Sequence, residues 1–225
     1  MSSVRLAVVV CTYNRSASLV ETLRSIYDCG YTGDAVIDVL VVANHCSDDT
    51  LARLADFRAA HPRANLSLDW IEEPQAGKSY ALNAAIAHTT HEALCFIDDD
   101  QTVEAGFLEQ LIAGMQAHPD AALYCGRIWP AWDGSEPSWV HAQGEYAIPI
   151  RPFPEFDLGP DSFTLGPHDR FPSGGNIVVR RSVFETVGGF AVELGPTGHN
   201  LAGGEDHDFL KRAVARDCTI RYLPG

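Results

Sequence analysis

What this chain of 225 residues lacks already narrows its function. No run of apolar residues approaches the roughly 20 needed to cross a bilayer as a helix. The N-terminal stretch Met1 to Asn14 carries a single basic residue, Arg5, and its apolar run, Leu6 to Cys11, is too short for a signal-peptide core. Basic residues are scarce: 16 Lys and Arg stand against 30 Asp and Glu, a net charge of -14. A surface that binds nucleic acid or an anionic membrane needs a basic patch, so a nucleic-acid partner is not expected. An anionic ligand remains compatible, because a bound cation reverses the local sign. The six cysteines (11, 29, 46, 95, 125 and 218) include no Cys-x-x-Cys pair, and a disulfide framework is not expected at this length. Cys11, Cys95 and Cys125 lie in or beside apolar runs, where a free thiol acts as a small hydrophobe. A reduced, cytoplasmic compartment follows as the default, leaving peripheral membrane contact open. Internal repeats and low-complexity tracts are absent.

What is present is an alternation of strand and helix signals. Leu6–Val10, Val36–Val42, Leu66–Ile71 and Ala93–Ile97 read as short buried strands. Between them, Ser16–Tyr27 places Leu19, Val20, Leu23, Ile26 and Tyr27 on one helical face, Asp49 to Ala60 precedes His61-Pro62, and Lys78–Ala87 is alanine-rich. A further helix runs through Phe107, Leu108, Leu111, Ile112 and Met115, with Thr102 as its expected cap. This order predicts an α/β fold with a mostly parallel central sheet and helices on both faces. Beyond Leu123–Ile128 the pattern dissolves. Residues 129–172 hold eight of the thirteen prolines and three of the four tryptophans, a loop-rich stretch too long to be an idle connection. Its aromatics could supply exposed faces or fill a satellite core. Asn176–Arg180 and Thr219–Leu223 read as strands, with helices at Ser182–Val187 and Glu205–Arg216.

In open sheets of this kind, ligands bind beyond the carboxyl ends of the strands. The segments there are polar: Cys11-Thr12-Tyr13-Asn14-Arg15, Ala43-Asn44-His45-Cys46-Ser47-Asp48, and Asp98-Asp99-Asp100. The aspartate triplet is the strongest signal. Adjacent carboxylates disfavour one another's ionisation, and a hard divalent cation offsets that cost. Alternation along an extended backbone would put Asp98 and Asp100 on one side, as the metal-ligand pair, and Asp99 on the other. Lys78 sits at a helix N-terminus, against the dipole's preference, which implies a phosphate or carboxylate nearby. Only one glycine precedes it, so Gln75-Ala76-Gly77-Lys78-Ser79 is not a Walker loop. Gly203-Gly204-Glu205-Asp206-His207-Asp208 gathers more acid than a helix N-terminus calls for.

Taken in order, these motifs resemble glycosyltransferase family 2, the inverting nucleotide-sugar enzymes of glycosyltransferase-A fold. The resemblance runs from Val8 to about Tyr222. It implies one Rossmann-like domain over 1–225, with residues 1–102 as the nucleotide-sugar half and 103–225 as the acceptor half. It implies donor contacts from Thr12, Tyr13, Asn14, Arg15, Asn44, Lys78, Asp98 and Asp99. Asp98 and Asp100 occupy the paired positions of the family's Asp-x-Asp signature and would hold Mn2+ or Mg2+ on the diphosphate. Phe171-Pro172-Ser173-Gly174-Gly175-Asn176 resembles the loop before the acceptor-side strand, so Gly174, Gly175, Asn176 and Glu205 would line the sugar and acceptor, with Asp206 as catalytic base. The expected reaction moves a sugar from a UDP, dTDP or GDP donor to a hydroxyl of a glycan or lipid-linked acceptor, in surface polysaccharide or glycoconjugate synthesis.

Departures from the family pattern are equally specific. The usual aspartate of the second-strand motif is replaced by Asn44, or by Ala43 under a one-residue shift. The downstream Gln-x-x-Arg-Trp motif of processive members is absent. The histidine that serves some members as third metal ligand has only His199 and His207 as local substitutes. Two other readings stand beside this one. A sugar-phosphate nucleotidyltransferase would show an N-terminal glycine-rich loop, and Cys11–Arg15 contains no glycine. A nucleotide-sugar-binding module without turnover would not need Asp98, Asp100 and Asp206 together.

Overall fold

The computed structural model describes residues 5–142, 144–146, 155–166, 169–172, 174–196 and 203–224. Its strands are β1 (Leu6–Thr12), β2 (Ile37–Asn44), β3 (Leu66–Glu73), β4 (Ala93–Asp98), β5 (Leu123–Cys125), β6 (Phe163–Thr164), β7 (Ile177–Arg180) and β8 (Ile220–Tyr222). The helices are α1 (Ser16–Asp28), α2 (Thr50–Ala60), α3 (Lys78–His88), α4 (Phe107–Ala117), α5 (Arg181–Val187) and α6 (Glu205–Val214). One sheet runs in the order β3-β2-β1-β4-β7-β5-β8-β6. Strands β3, β2, β1 and β4 are parallel, β7 opposes both β4 and β5, β8 is parallel to β5, and β6 opposes β8. Six strands therefore share one direction, and the mostly parallel α/β expectation holds. The stretches 1–102 and 103–225 meet in this sheet along the β4–β7 pair.

Period-2 alternation in the central strands divides the core. Leu6, Val8 and Val10 of β1 join α1, α2 and α4 on one face, while Ala7 and Val9 join α3, α5 and α6 on the other. The expected stripe of α1 is the buried one, with Leu19, Leu23, Ile26 and Tyr27 inside. In α3 the buried Ala81 and Ala85 are small enough to bring the helix close to the sheet. Part of the proline-rich stretch fills the satellite-core role foreseen for it. Phe156 and Phe163 pack against Tyr222 as an extension of the core, whereas Trp129, Trp132 and Trp139 stay exposed.

One local expectation is corrected. Thr102 caps no helix, since α4 begins at Phe107 behind Gly106, whose N–H donates to the Cys29 carbonyl at the end of α1 (2.7 Å). That bond places the cap, Gly106, four residues beyond Thr102. Within Leu123–Ile128, where the pattern gives out, β5 stops at Cys125 and Ile128 pairs with Phe156.

Two features of the topology position the site. The chain runs from β1 outward through β2 and β3, then returns to place β4 on the other side of β1. The β1–β4 seam is thus a topological switch point, where the loops after the two strands diverge and leave a crevice. At its edge Cys11 pairs with Asp98. The second feature is the reversal of β7. Because Phe96 pairs with Ile177, the residues entering β7 lie beside the carboxyl end of β4.

α6 is seated on this frame by aromatic packing. Phe209 is buried and stacks on Phe190 with centroids 4.6 Å apart, tilted against Phe184 at 5.4 Å. Truncation of Phe209 to alanine should lower stability by about 3–5 kcal/mol, read as a drop in the urea midpoint. A loss below ~1 kcal/mol would mean that α6 is held by other contacts.

Candidate active site

The loop after β1 is built around carboxylates. Asp99 is only 6% exposed and accepts hydrogen bonds from the Thr12 hydroxyl (2.7 Å) and the Arg15 guanidinium (3.1 Å). Its backbone carbonyl accepts from the Ser18 hydroxyl. Burial raises its pKa, with Thr12 and Arg15 pulling the other way. Asp99 is therefore a bracket between β4 and the first turn of α1, turned away from the crevice.

The same geometry corrects the simple alternation expected of the triplet. β4 ends at Asp98, and Asp99 and Asp100 lie in a turn in which the Gln101 N–H donates to the Asp98 carbonyl (3.1 Å). Asp100 faces solvent and accepts from Arg15 at 3.0 Å. Asp98 faces the other way and accepts from the Lys78 ammonium at 2.8 Å. Each carboxylate of the expected metal pair thus already holds a basic side chain. Among the described residues no three His, Cys, Asp or Glu side chains converge as a ready cage. The donor chemistry still fits a hard divalent cation, which binds through one or two carboxylates and completes its shell with water and phosphate. His207 is exposed and edge-on to Phe171, away from that pair, and His199 lies outside the described residues.

Asn44 proves to be a clamp. Its amide nitrogen donates to the Glu73 and Gln75 carbonyls (3.2 and 2.7 Å), and its oxygen accepts the Gly77 N–H (2.8 Å). The amide, expected at the nucleotide base, is buried and bonded to backbone. What it orders is the turn before α3. Gly77 there has φ 141°, a conformation that side-chain-bearing residues rarely adopt. Asn14, also with positive φ, accepts from the Ser47 and Asp48 N–H groups and so ties the first loop to the second. Beside it Tyr13 is exposed, its ring nearly parallel to that of His45 with centroids 6.4 Å apart. Of the first-loop residues expected at the donor, Tyr13 is thus the one left open.

Opposite these elements lies the first turn of α6. Lys78 stands 3.6 Å from Glu205 as well as 2.8 Å from Asp98, which accounts for its place at a helix N-terminus. Burial alone would lower its pKa, but Asp98, Asp206 and Glu205 outweigh burial and raise it above the usual lysine value. Glu205 is 2% exposed, and its Oε2 has no hydrogen-bond partner. Asp206 lines the same cleft as Lys78 and Asp98. Burial pushes its carboxyl up to about 6, with Lys78 lowering it, Glu205 and Asp98 raising it, and the Gly174 N–H lowering it.

Gly174 is the joint between the two sides. With φ 58°, it occupies the point where a Cβ would stand 3.0 Å from an Asp98 oxygen and 3.3 Å from an Asp206 oxygen. Any side chain there would wedge into the gap between these acids. Gly175 joins the cleft lining. Asn176 turns outward and donates to the Arg127 carbonyl (2.8 Å), so it anchors the aromatic rim. Ser173 lies outside the described residues.

Sequence reasoning passed over Gln101, whose side-chain Oε1 accepts the Asp98 N–H (3.1 Å) and whose amide abuts Gly175. Its position directly after the triplet was the available signal. Asp157 was passed over as well. It collects Arg127, Trp129, Tyr222 and the Gly159 N–H in a segment without periodicity to mark it.

Comparison with known proteins agrees with this geometry. The family model described as "Glycosyl transferase family 2" matches residues 7–188. The succinoglycan biosynthesis protein ExoM of Rhizobium meliloti (strain 1021) is 27% identical over 218 residues, covering 96% of this chain and 63% of the relative. The glucosyl-dolichyl phosphate glucuronosyltransferase of Haloferax volcanii is 27% identical over 199 residues, covering 86% and 58%. The chain thus spans about three fifths of the length of these relatives. Among solved structures, S. aureus TarS 1-349 in complex with UDP-GlcNAc superposes with a TM-score of 0.68 at 18% identity, covering 97% of this chain and 56% of that one. The mannosyltransferase PcManGT of Pyrobaculum calidifontis, in complex with GDP-Man and Mn2+, gives 0.63 at 22%, covering 98% and 54%. The structural likenesses establish the glycosyltransferase-A fold, and the family match, over most of the sequence, establishes that this chain belongs to glycosyl transferase family 2.

Proposed function

We propose that the protein is a metal-dependent, inverting glycosyltransferase that moves a sugar from a nucleoside-diphosphate donor to an acceptor hydroxyl. The observation that carries this reading is the meeting at Gly174 of a strand-end carboxylate, Asp98, with a buried carboxyl of raised pKa, Asp206. One belongs to the edge where anionic ligands bind an α/β sheet, and the other to the opposing helix.

Asp98 and Asp100 would hold Mn2+ or Mg2+, which when bound neutralises the diphosphate as a Lewis acid. Lys78 adds positive charge on the same side, within reach of phosphate oxygens. Asp206 accepts the proton of the acceptor hydroxyl as its oxygen forms a bond to the anomeric carbon. The bond from that carbon to the diphosphate oxygen breaks in the same displacement, and the nucleoside diphosphate leaves with the electron pair. Attack opposite the leaving group inverts the anomeric centre, and no covalent nucleophile is required. Glu205, with an oxygen free of partners beside Lys78, is suited to accept a sugar hydroxyl. Gly174 and Gly175 let that sugar approach the backbone.

Relatives and neighbours support this class and bound its substrates. The neighbours were solved with UDP-GlcNAc and with GDP-Man and Mn2+, which makes UDP and GDP sugars the first donors to test, with dTDP sugars next. The relatives' names point to polysaccharide and lipid-linked glycan assembly, and hence to a glycan or lipid-linked acceptor. No helix among the described residues is long and apolar enough to cross a membrane, so such an acceptor would be met at a membrane surface. Trp129 suits the acceptor rim. It is 50% exposed yet immobilised, with its indole N–H on Asp157 (3.3 Å) and the Arg127 guanidinium 5.1 Å from its ring centroid. A fixed aromatic face loses little entropy on stacking against a sugar.

Asp206→Asn should lower kcat for transfer by about 10²–10⁴-fold, with the donor Kd changed far less. Turnover within threefold of wild type would remove Asp206 from the base role. Because a base must be ionised, kcat/KM should fall as pH drops through about 6, the raised value for Asp206, and level off above it. A flat profile between pH 5 and 8 would contradict that assignment. Trp129→Ala should raise the acceptor KM about tenfold, equivalent to ~1.4 kcal/mol, with a smaller change in kcat. An unchanged KM would place the acceptor elsewhere.

A further inference from the structure

The carboxylates expected to receive the metal ion are both ion-paired in the structure, and by two basic residues that reach them from different elements. Lys78, from the start of α3, sits 2.8 Å from Asp98. Arg15, from the turn before α1, sits 3.0 Å from Asp100 and 3.1 Å from Asp99. Neither cation can keep its place when a divalent ion occupies the same oxygens, because like charges at 3–4 Å repel strongly in a partly desolvated site.

From this arrangement we infer that Lys78 and Arg15 are counterions of Asp98 and Asp100 that compete with a metal ion for the same oxygens, and that Lys78, once displaced, is free to meet the donor diphosphate. The inference rests on the metal reading given above. It assigns Lys78 a second role besides any phosphate contact, that of a competitor which keeps metal affinity low until a donor is present.

The geometry supports exchange over simple neutralisation. Lys78 has an alternative anionic partner ready in Glu205, 3.6 Å away, whose Oε2 has no hydrogen-bond partner. The ammonium can therefore swing from Asp98 without being left unpaired in a buried position, which would be costly. Arg15 has no such need, because its side chain is 55% exposed and can turn to water. The chain's own cations thus pair with the two carboxylates from different elements, and each has somewhere else to go. Since a donor diphosphate adds negative charge that Lys78 can pair with, donor and metal should each tighten the other's binding by the same factor.

The test titrates Mn2+ alone into the protein without donor, following the EPR signal of free Mn2+, and repeats the titration with UDP present. Lys78→Met retains the aliphatic stem and removes the competing charge, so it should bind Mn2+ at least about fivefold more tightly than wild type. Its UDP-induced gain in Mn2+ affinity should be smaller than that of wild type. Arg15→Gln, which removes the charge but keeps a hydrogen-bond donor for Asp99, should tighten Mn2+ binding in the same direction by a smaller factor. Lys78→Arg, which keeps the charge, should retain weak binding. If Lys78→Met and Arg15→Gln bind Mn2+ no more tightly than wild type while Asp98→Asn abolishes binding, the counterion role is wrong and the metal site stands. If Asp98→Asn binds Mn2+ as wild type does, the metal reading itself falls, and this inference with it.

Discussion

Charge confinement at the β1–β4 switch point is the constraint on which the rest of the site depends. Asp98, Asp99, Asp100, Glu205 and Asp206 are drawn from two distant stretches of a chain that is already strongly acidic. Two cations, Lys78 and Arg15, keep that cluster compatible with folding. Each reaches more than one carboxylate, so removal of either would expose several like charges to one another at once. The local structures that look incidental exist to hold these two residues. Asn44 clamps the turn that launches Lys78, and Asp99 fastens the loop that carries Arg15.

That division explains why the triplet is not three equal ligands. A strand ending one residue earlier would leave Asp98 in the turn, and one ending later would carry alternation through Asp100. Because β4 stops at Asp98, the three side chains take three directions: into the cleft, into the scaffold and into solvent. The inward-turned member is as important as the others, since without its bonds to Thr12 and Arg15 the first loop would have no fixed height above the sheet.

Much of this was legible from residue order alone. The strand–helix alternation, the buried stripe of α1 and the convergence of three polar loops follow from periodicity and from the rule that ligands gather at strand carboxyl ends. What was not legible was orientation. Nothing in Ala43-Asn44-His45 reveals that the amide points inward, because inward and outward side chains differ only in where β2 ends relative to the carbonyls of residues 73 and 75. Nor could Asp100 be distinguished from Asp98 without knowing that a turn begins between them. The 129–172 stretch resisted for a different reason. Among its described residues, polar contacts to one carboxylate, Asp157, stand beside the packing of Phe156 and Phe163, and polar hubs leave no periodic trace.

The reversal of β7 has an evolutionary corollary. Hydrogen bonds between β4 and β7 set how far Gly174 and its neighbour Asp206 stand from Asp98, and strand register changes only in whole residues. Among the described residues of the long excursion between β5 and β7, the Arg127 carbonyl accepts from Asn176 at the entry to β7. A lineage can therefore alter that excursion elsewhere while keeping the register that places Gly174 beside Asp98.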